Sequence, residues 1–215
     1  MISLFNRDNT EWQDGTGSLI LGQPSALVDS VNRKHPKLFE LYKAQKEVDW
    51  FEDEVNKEQS RLDFQNCPEN TYGAMIKNLA FQWELDSLAA NSLTYVMSPF
   101  ITNSDFKLAV TKNGEIENLH ALTYSDTIRL GVPNPDDVFK EVMQNESIMT
   151  RGDSVTRNID IASRAGCEYM LGMVENDQEL YNQAFMGLLT FYCLERMQFM
   201  ASFAHTFGIV QTGYF

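Results

Sequence analysis

Cysteine is scarce in this 215-residue chain and poorly placed for a scaffold. Cys67, Cys167 and Cys193 are odd in number, far apart and form no C-x-x-C pair. That excludes a disulfide framework and a cysteine-rich zinc site, and it fits a reducing compartment. Basic residues are also few: 17 Lys and Arg stand against 30 Asp and Glu, for a net charge of −13. A nucleic-acid surface needs clustered cations and an anionic membrane repels such a chain, so neither partner is expected. Long hydrophobic runs are missing as well. The most apolar stretch, AFMGLLTFYCL at 184–194, is too short to span a bilayer and runs into Glu195 and Arg196. The N-terminal MISLFNRDNTEWQDG lacks the basic and apolar blocks of a secretory signal, so a soluble, cytoplasmic protein is expected.

What is there is a globular composition of one-domain length, 43% hydrophobic and 12% aromatic, enough to bury a core. Residues 1–35 carry the turn signals DGTGS and GQP between short apolar runs and predict an irregular or β-hairpin arm. From residue 36 to 215 the pattern is helical. Pro36 starts one helix, with Leu38, Leu41 and Tyr42 at helical spacing, and Pro68 announces a long one reaching Met97. Another begins near Asn103 or Ser104 and is broken by GVPNPDD after Leu130. Shorter helices are predicted at about 136–147 and 154–174, and a last long one from Asp177 past Phe203. No repeat, low-complexity linker or strand alternation interrupts them. Gly114 and Gly187 are counter-signals within helices. The predicted class is an all-α helical bundle.

Three acids stand where a bland helix would place apolar side chains. Asp86 shares the stripe of Leu79, Trp83, Ala90 and Leu93, and Glu117 that of Phe106, Val110, Tyr124 and Ile128. Glu195 lies among Phe191, Phe199 and Phe203 at four-residue spacings. A buried carboxylate without a partner costs several kcal/mol, and a hard or borderline metal is the least expensive partner for several of them plus an imidazole. In EIENLHALTYSD, residues 115–126, Glu117, His120 and Tyr124 project from one helix face. Carboxylates and Glu-x-x-His pairs pointing into a helical bundle are the pattern of di-iron and di-manganese proteins. Each feature alone has a bland reading as a capping, ion-paired or surface side chain. The three together do not read that way.

Order and context resemble a family. LDSLAANSL with Asp86, EIENLHALTYSDTIR with Glu117, His120 and Tyr124, and CLERMQFMASF with Glu195 are similar to the radical-generating β subunit of class I ribonucleotide reductase. VDWFEDEVNKEQSRLDF is similar to that family's segment around its radical-transfer tryptophan, here Trp50. The resemblance implies a ferritin-like bundle and a di-iron centre, with manganese equally suited to the ligands. Asp86, Glu117 and His120 would ligate one metal, Glu195 the other, and Glu117 would bridge. Tyr124 would be oxidised to a stable radical in a dry pocket walled by Phe199 and Phe203. Trp50 and His120 would relay the oxidising equivalent to the large (α) subunit, where ribonucleotides are reduced, and a β homodimer is implied.

The family also needs a further Glu and a second Glu-x-x-His, and RMQFMASFAHTFGIVQTGYF after Glu195 contains no acid. His205 falls about 80° off the face of Glu195 on a straight helix and is no replacement. The bundle is therefore expected to be incomplete in this chain: the preferred reading is completion by a second polypeptide carrying the remaining ligands, docked along Phe191, Phe199, Phe203 and Phe207, and the other is that the chain is a truncated or degenerate fragment. Two further readings stand beside this one: another ferritin-like di-metal oxidase in which Tyr124 is a pocket residue, and a non-catalytic fragment that only binds reductase subunits.

Overall fold

Ser104 and Pro36 open helices where the sequence places them, and the rest of the fold follows from a few long helices of this kind. The computed structural model describes residues 5–9, 17–23, 27–28, 30–31 and 33–215. In chain order the helices are α1 (Pro36–Glu47), α2 (Glu58–Asn66), α3 (Glu69–Met97), α4 (Ser104–Gly131), α5 (Pro135–Gln144), α6 (Glu146–Leu171), α7 (Gln178–Cys193) and α8 (Phe199–Val210). A 3-10 turn, Glu52–Glu54, precedes α2, and a π-helical turn, Leu194–Gln198, joins α7 to α8. The all-α expectation holds, and among the described residues no helix is long and apolar enough to cross a membrane. The predicted hairpin arm falls partly outside the described residues. Those that are described there form one isolated antiparallel bridge, Ile20 with Ile101.

Several helix boundaries differ from expectation, and the helix predicted at about 136–147 ends at Gln144. The helix predicted from residue 154 begins at Glu146, because the Asn145 side chain accepts hydrogen bonds from the backbone N–H groups of Ser147 and Ile148, at 3.2 and 3.3 Å. It stops at Leu171, where Gly172 takes a positive φ of 72° that favours glycine. The long last helix is not continuous, since the π turn interrupts it.

The helices contribute to two compact units. The first comprises Met1–Asp49, Asn91–Ile116 and Arg157–Thr190. Its core contains Val96, Met97, Phe100, Val110, Ile159 and Ala162. Glycine here allows close helix approach: a Cβ at Gly187 would lie 3.0 Å from that of Ala162, and one at Gly114 would collide with Thr94 Oγ1. Both glycines that seemed to argue against helix are thus explained by packing.

The second unit comprises Trp50–Ala90, Glu117–Thr156 and Phe191–Phe215. Phe64, Met75, Ile76, Leu79, Ile128, Val132 and Ile209 form its core. The Phe64 ring meets Phe215 edge-on at 4.6 Å and Tyr72 at 5.9 Å. Asp63 fixes this corner by accepting the backbone N–H of Phe215 at 2.8 Å. Across α3 and α8, the Asn78 side chain donates to Thr206 Oγ1 at 2.7 Å and accepts from Ser202 Oγ at 2.8 Å, a buried polar tie that sets the helices' register.

A Cβ at Gly131 would collide with the edge of the Phe64 ring, whereas one at Gly73, within α3, meets nothing within 4 Å among the described residues. Gly131→Ala should therefore destabilise the chain by about 1–3 kcal/mol through overpacking. Gly73→Ala should stabilise it by about 0.5–1 kcal/mol through helix propensity alone. Urea unfolding of the two variants measures both, and opposite signs are expected.

Candidate metal centre

Asp86 sits in the middle of α3, flanked by the buried Leu85 and Ala89, and is only 2% exposed. Glu117 on α4 is 4% exposed. One turn further along α4, His120 is partly open to solvent and turns Nδ1 back to both acids. It lies 3.2 Å from Glu117 Oε2 and 3.7 Å from Asp86 Oδ2. One ligand atom from each of the three falls within 4.8 Å of the other two. This cluster is the convergence that the apolar stripes predicted.

Glu195 arrives differently. It occupies the π turn between α7 and α8. On a straight α-helix Phe199 would lie about 80° from Phe191, at 100° per residue. A π turn takes up roughly one extra residue, so the offset falls to about 20°. Phe191 and Phe199 are accordingly both buried, at 6% and 2% exposure, on the side to which Glu195 belongs. This corrects the expected docking stripe: of Phe191, Phe199, Phe203 and Phe207, only Phe207 is strongly exposed, at 67%. Phe203 is half-buried and stacks on Phe199 with ring centroids 5.9 Å apart. The π turn was missed in the sequence. Its signal was there in the strict four-residue spacing from Phe191 to Phe203, which a 3.6-residue helix cannot keep on one face.

Electrostatics shows how crowded the acids are. Burial, then the charges of Glu117 and Glu195, push the Asp86 carboxyl up to about 9. Burial and Glu117 push Glu195 up to about 7, while His120 and Arg196 pull against them. The phenol of Tyr124 is raised too, by burial and then by Asp86, Glu117 and Glu195 in turn, so it lies within the field of all three acids. Its ring packs on the cluster around Phe64 and Ile128. Trp50 completes the neighbourhood, stacked on the His120 imidazole at 6.3 Å between centroids and 25° between planes.

Glu84, two residues before Asp86 and so on another face of α3, is a partly buried acid that the sequence reading passed over. Burial and Asp153 raise its carboxyl, and its Oε2 has no hydrogen-bond partner among the described residues. His205 is exposed, in keeping with its exclusion as a ligand.

Acids crowded into a buried space, with an imidazole turned toward them, fit a divalent cation. The cation would offset the repulsion among charged carboxylates and accept the lone pair of a neutral imidazole. The oxygen and nitrogen donors suit iron and manganese alike. A helical bundle that gathers carboxylates and an imidazole able to hold a metal, beside a half-buried tyrosine, is the class of protein that fold and site define.

The family model described as ribonucleotide reductase, small chain, matches residues 28–215, and this chain belongs to that family. The ribonucleoside-diphosphate reductase 1 subunit beta of Salmonella typhimurium is 26% identical over 204 residues, covering 90% of this chain and 54% of the relative. The ribonucleoside-diphosphate reductase subunit beta of enterobacteria phage T4 is 26% identical over 195 residues, covering 82% and 50%. Among solved structures, the ribonucleotide reductase R2 subunit from Clostridium botulinum has a TM-score of 0.82 at 17% identity, covering 99% of this chain and 63% of that one, a likeness of fold. The chain spans about half the length of the curated relatives it matches.

If the acids are crowded to hold a cation, removing one should relieve the metal-free chain. Glu117→Gln is expected to leave its thermal midpoint equal or higher and to abolish tight Mn(II) or Fe(II) binding in titration calorimetry. A lowered midpoint with retained metal binding would mark Glu117 as a structural residue instead.

Proposed function

We propose that this chain is the part of a class I ribonucleotide reductase β subunit that holds one metal of a dinuclear centre and carries the oxidisable side chains beside it. The observation that carries the reading is the convergence of Asp86, Glu117 and His120 within 4.8 Å, with the phenol of Tyr124 in the field of the same acids. Asp86, Glu117 and His120 would hold one ion, and Glu195 would belong to the second, with Glu117 shared. Residues 36–215 would form the N-terminal portion of the ferritin-like domain. A further Glu and a Glu-x-x-His are to be sought in polypeptide outside these 215 residues. The partners of the reading are that polypeptide, the large α subunit and a second β protomer.

When bound, the metal pair with dioxygen supplies oxidising power. The chain's own residues decide where that power goes. Burial and three acids hold the Tyr124 hydroxyl protonated, so one-electron oxidation of its ring has to be coupled to departure of that proton. Asp86 and Glu195 lie in that same field, and a carboxylate oxygen left free by the metal would accept the proton. The stacked aromatics Phe199 and Phe203 would keep water and reductants away, as a persistent phenoxyl radical requires. Trp50, lying flat on His120, joins the cluster to the surface side of the chain and is placed to pass an electron between the site and the α subunit.

The deciding experiment is Tyr124→Phe in the chain assembled with the polypeptide that supplies the remaining ligands. Phe keeps the ring and its packing and loses only the hydroxyl. Metal content should stay at the wild-type level, while the organic radical in the electron paramagnetic resonance spectrum and deoxyribonucleotide formation are both lost. An undiminished radical signal would overturn the assignment to Tyr124. Activity without any radical signal in the wild-type assembly would favour a different metal oxidant.

A further inference from the structure

Lys112 is the one lysine of α4 that is buried in its surroundings, with a side chain 8% exposed. Its ammonium donates to both carboxylate oxygens of Asp49, at 2.6 and 2.7 Å, and to Glu115 Oε2 at 3.1 Å. Asp49 immediately precedes Trp50 in the chain. Four residues earlier, at the end of α1, Gln45 Nε2 donates to Asn113 Oδ1 at 3.2 Å, on the residue next to Lys112. The segment leaving α1 is thus fastened at two points to neighbouring residues of α4. Eight residues further along that same helix, His120 presents the ring on which Trp50 lies. Asp49 is joined to Trp50 by a peptide bond and Lys112 to His120 by two turns of unbroken helix, so fixing one pair constrains the other.

We propose that Lys112 is a positioning residue: through Asp49 it sets the placement of Trp50 over His120. The proposal rests on the reading of Trp50 as an electron relay only for its consequence in the reaction, since the placement itself is measurable without any metal or partner. Electron transfer between stacked rings depends steeply on their separation, so a tryptophan released from Asp49's anchor would be a poor relay even with a sound metal cluster. Energetically the pair is well suited to the task. Three charge-assisted contacts give the ammonium a fixed direction toward Asp49, which itself stays half-exposed. Gln45 limits how far the segment can swing and Asp49 sets where it ends, so the two contacts act in series.

The test uses the 215-residue chain carrying Trp12→Phe and Trp83→Phe, so that Trp50 is the sole remaining tryptophan. Acrylamide quenching and steady-state anisotropy then report its exposure and mobility. Lys112→Met keeps the apolar stem and removes the charge. It should raise the quenching constant about twofold or more and lower the anisotropy, with far-UV circular dichroism unchanged. Lys112→Arg, which can hold Asp49 with its own donors, should restore most of both signals. Asp49→Asn removes the charge pairing from the exposed side, leaves α4 intact and should reproduce the Lys112→Met result. Unchanged Trp50 quenching in Asp49→Asn overturns the proposal, whatever Lys112→Met does to folding. In the assembled reductase, Lys112→Met should form the tyrosyl radical normally but turn over several-fold more slowly. If Trp50 is displaced and turnover is unaffected, the positioning role stands and the relay role of Trp50 fails, which keeps the two readings apart.

Discussion

Asp86 and Glu117 are buried together, with the half-buried Glu195 near enough to act on them, and much of the second unit is arranged around that crowding. Nothing in folding alone favours such a grouping. Each carboxylate loses water and gains like-charged neighbours, so Asp86 and Glu195 cling to protons well above the ordinary carboxylate range. The helices that impose it are correspondingly long and well anchored. α3 and α4 run for 29 and 28 residues, and the Asn78–Ser202–Thr206 tie fixes α8 against α3. Buried Leu85, Ala89 and Ile128 leave the acids little room to turn away. An energetically unfavourable site supported by favourable packing elsewhere is the usual relation between function and stability.

The π turn resolves a conflict of periods. Glu195 has to reach the cluster while Phe191 and Phe199, four residues to either side, stay in the core. An α-helix drifts about 40° for every four residues, so over twelve residues the three phenylalanines would spread across about 120° of its surface. Widening five residues into a π turn removes most of that drift and keeps backbone hydrogen bonding intact. The apolar face that the sequence assigned to a docking partner is therefore mostly internal. What remains outside is a different set, Met197, Met200 and Phe207, turned outward by the same rotation.

Much of the fold was legible because its punctuation is strong. Pro36, Pro68, Ser104 and the GVPNP break bound α1, α3 and α4 within a residue or two. The site was legible for the opposite reason, since Asp86 and Glu117 violate otherwise apolar stripes. The short α2 was not, because EQSRLDFQN has a weak pattern and owes its order to tertiary partners. Phe64 is held by Tyr72 and Phe215, and Asp63 by the Phe215 backbone. The start of α6 was missed because its signal is a single capping Asn145 amid polar residues. Glycine misled twice, as Gly114 and Gly187 mark close helix contacts that no local pattern announces.

Cation placement makes a last connection between composition and chemistry. In a chain of net charge −13, the buried or half-buried basic side chains are assigned to segments that need anchoring. Lys112 holds Asp49, and Arg33 pairs with Asp105 at the start of α4. The cluster itself receives a histidine, whose Nδ1 faces both Asp86 and Glu117. A lysine there would neutralise the acids permanently and fill the space between them. An imidazole can lose its proton and present a lone pair instead, so it tolerates either a proton or a metal ion in the same place. An imidazole at this point, unlike an ammonium, leaves the acids free to share a dication.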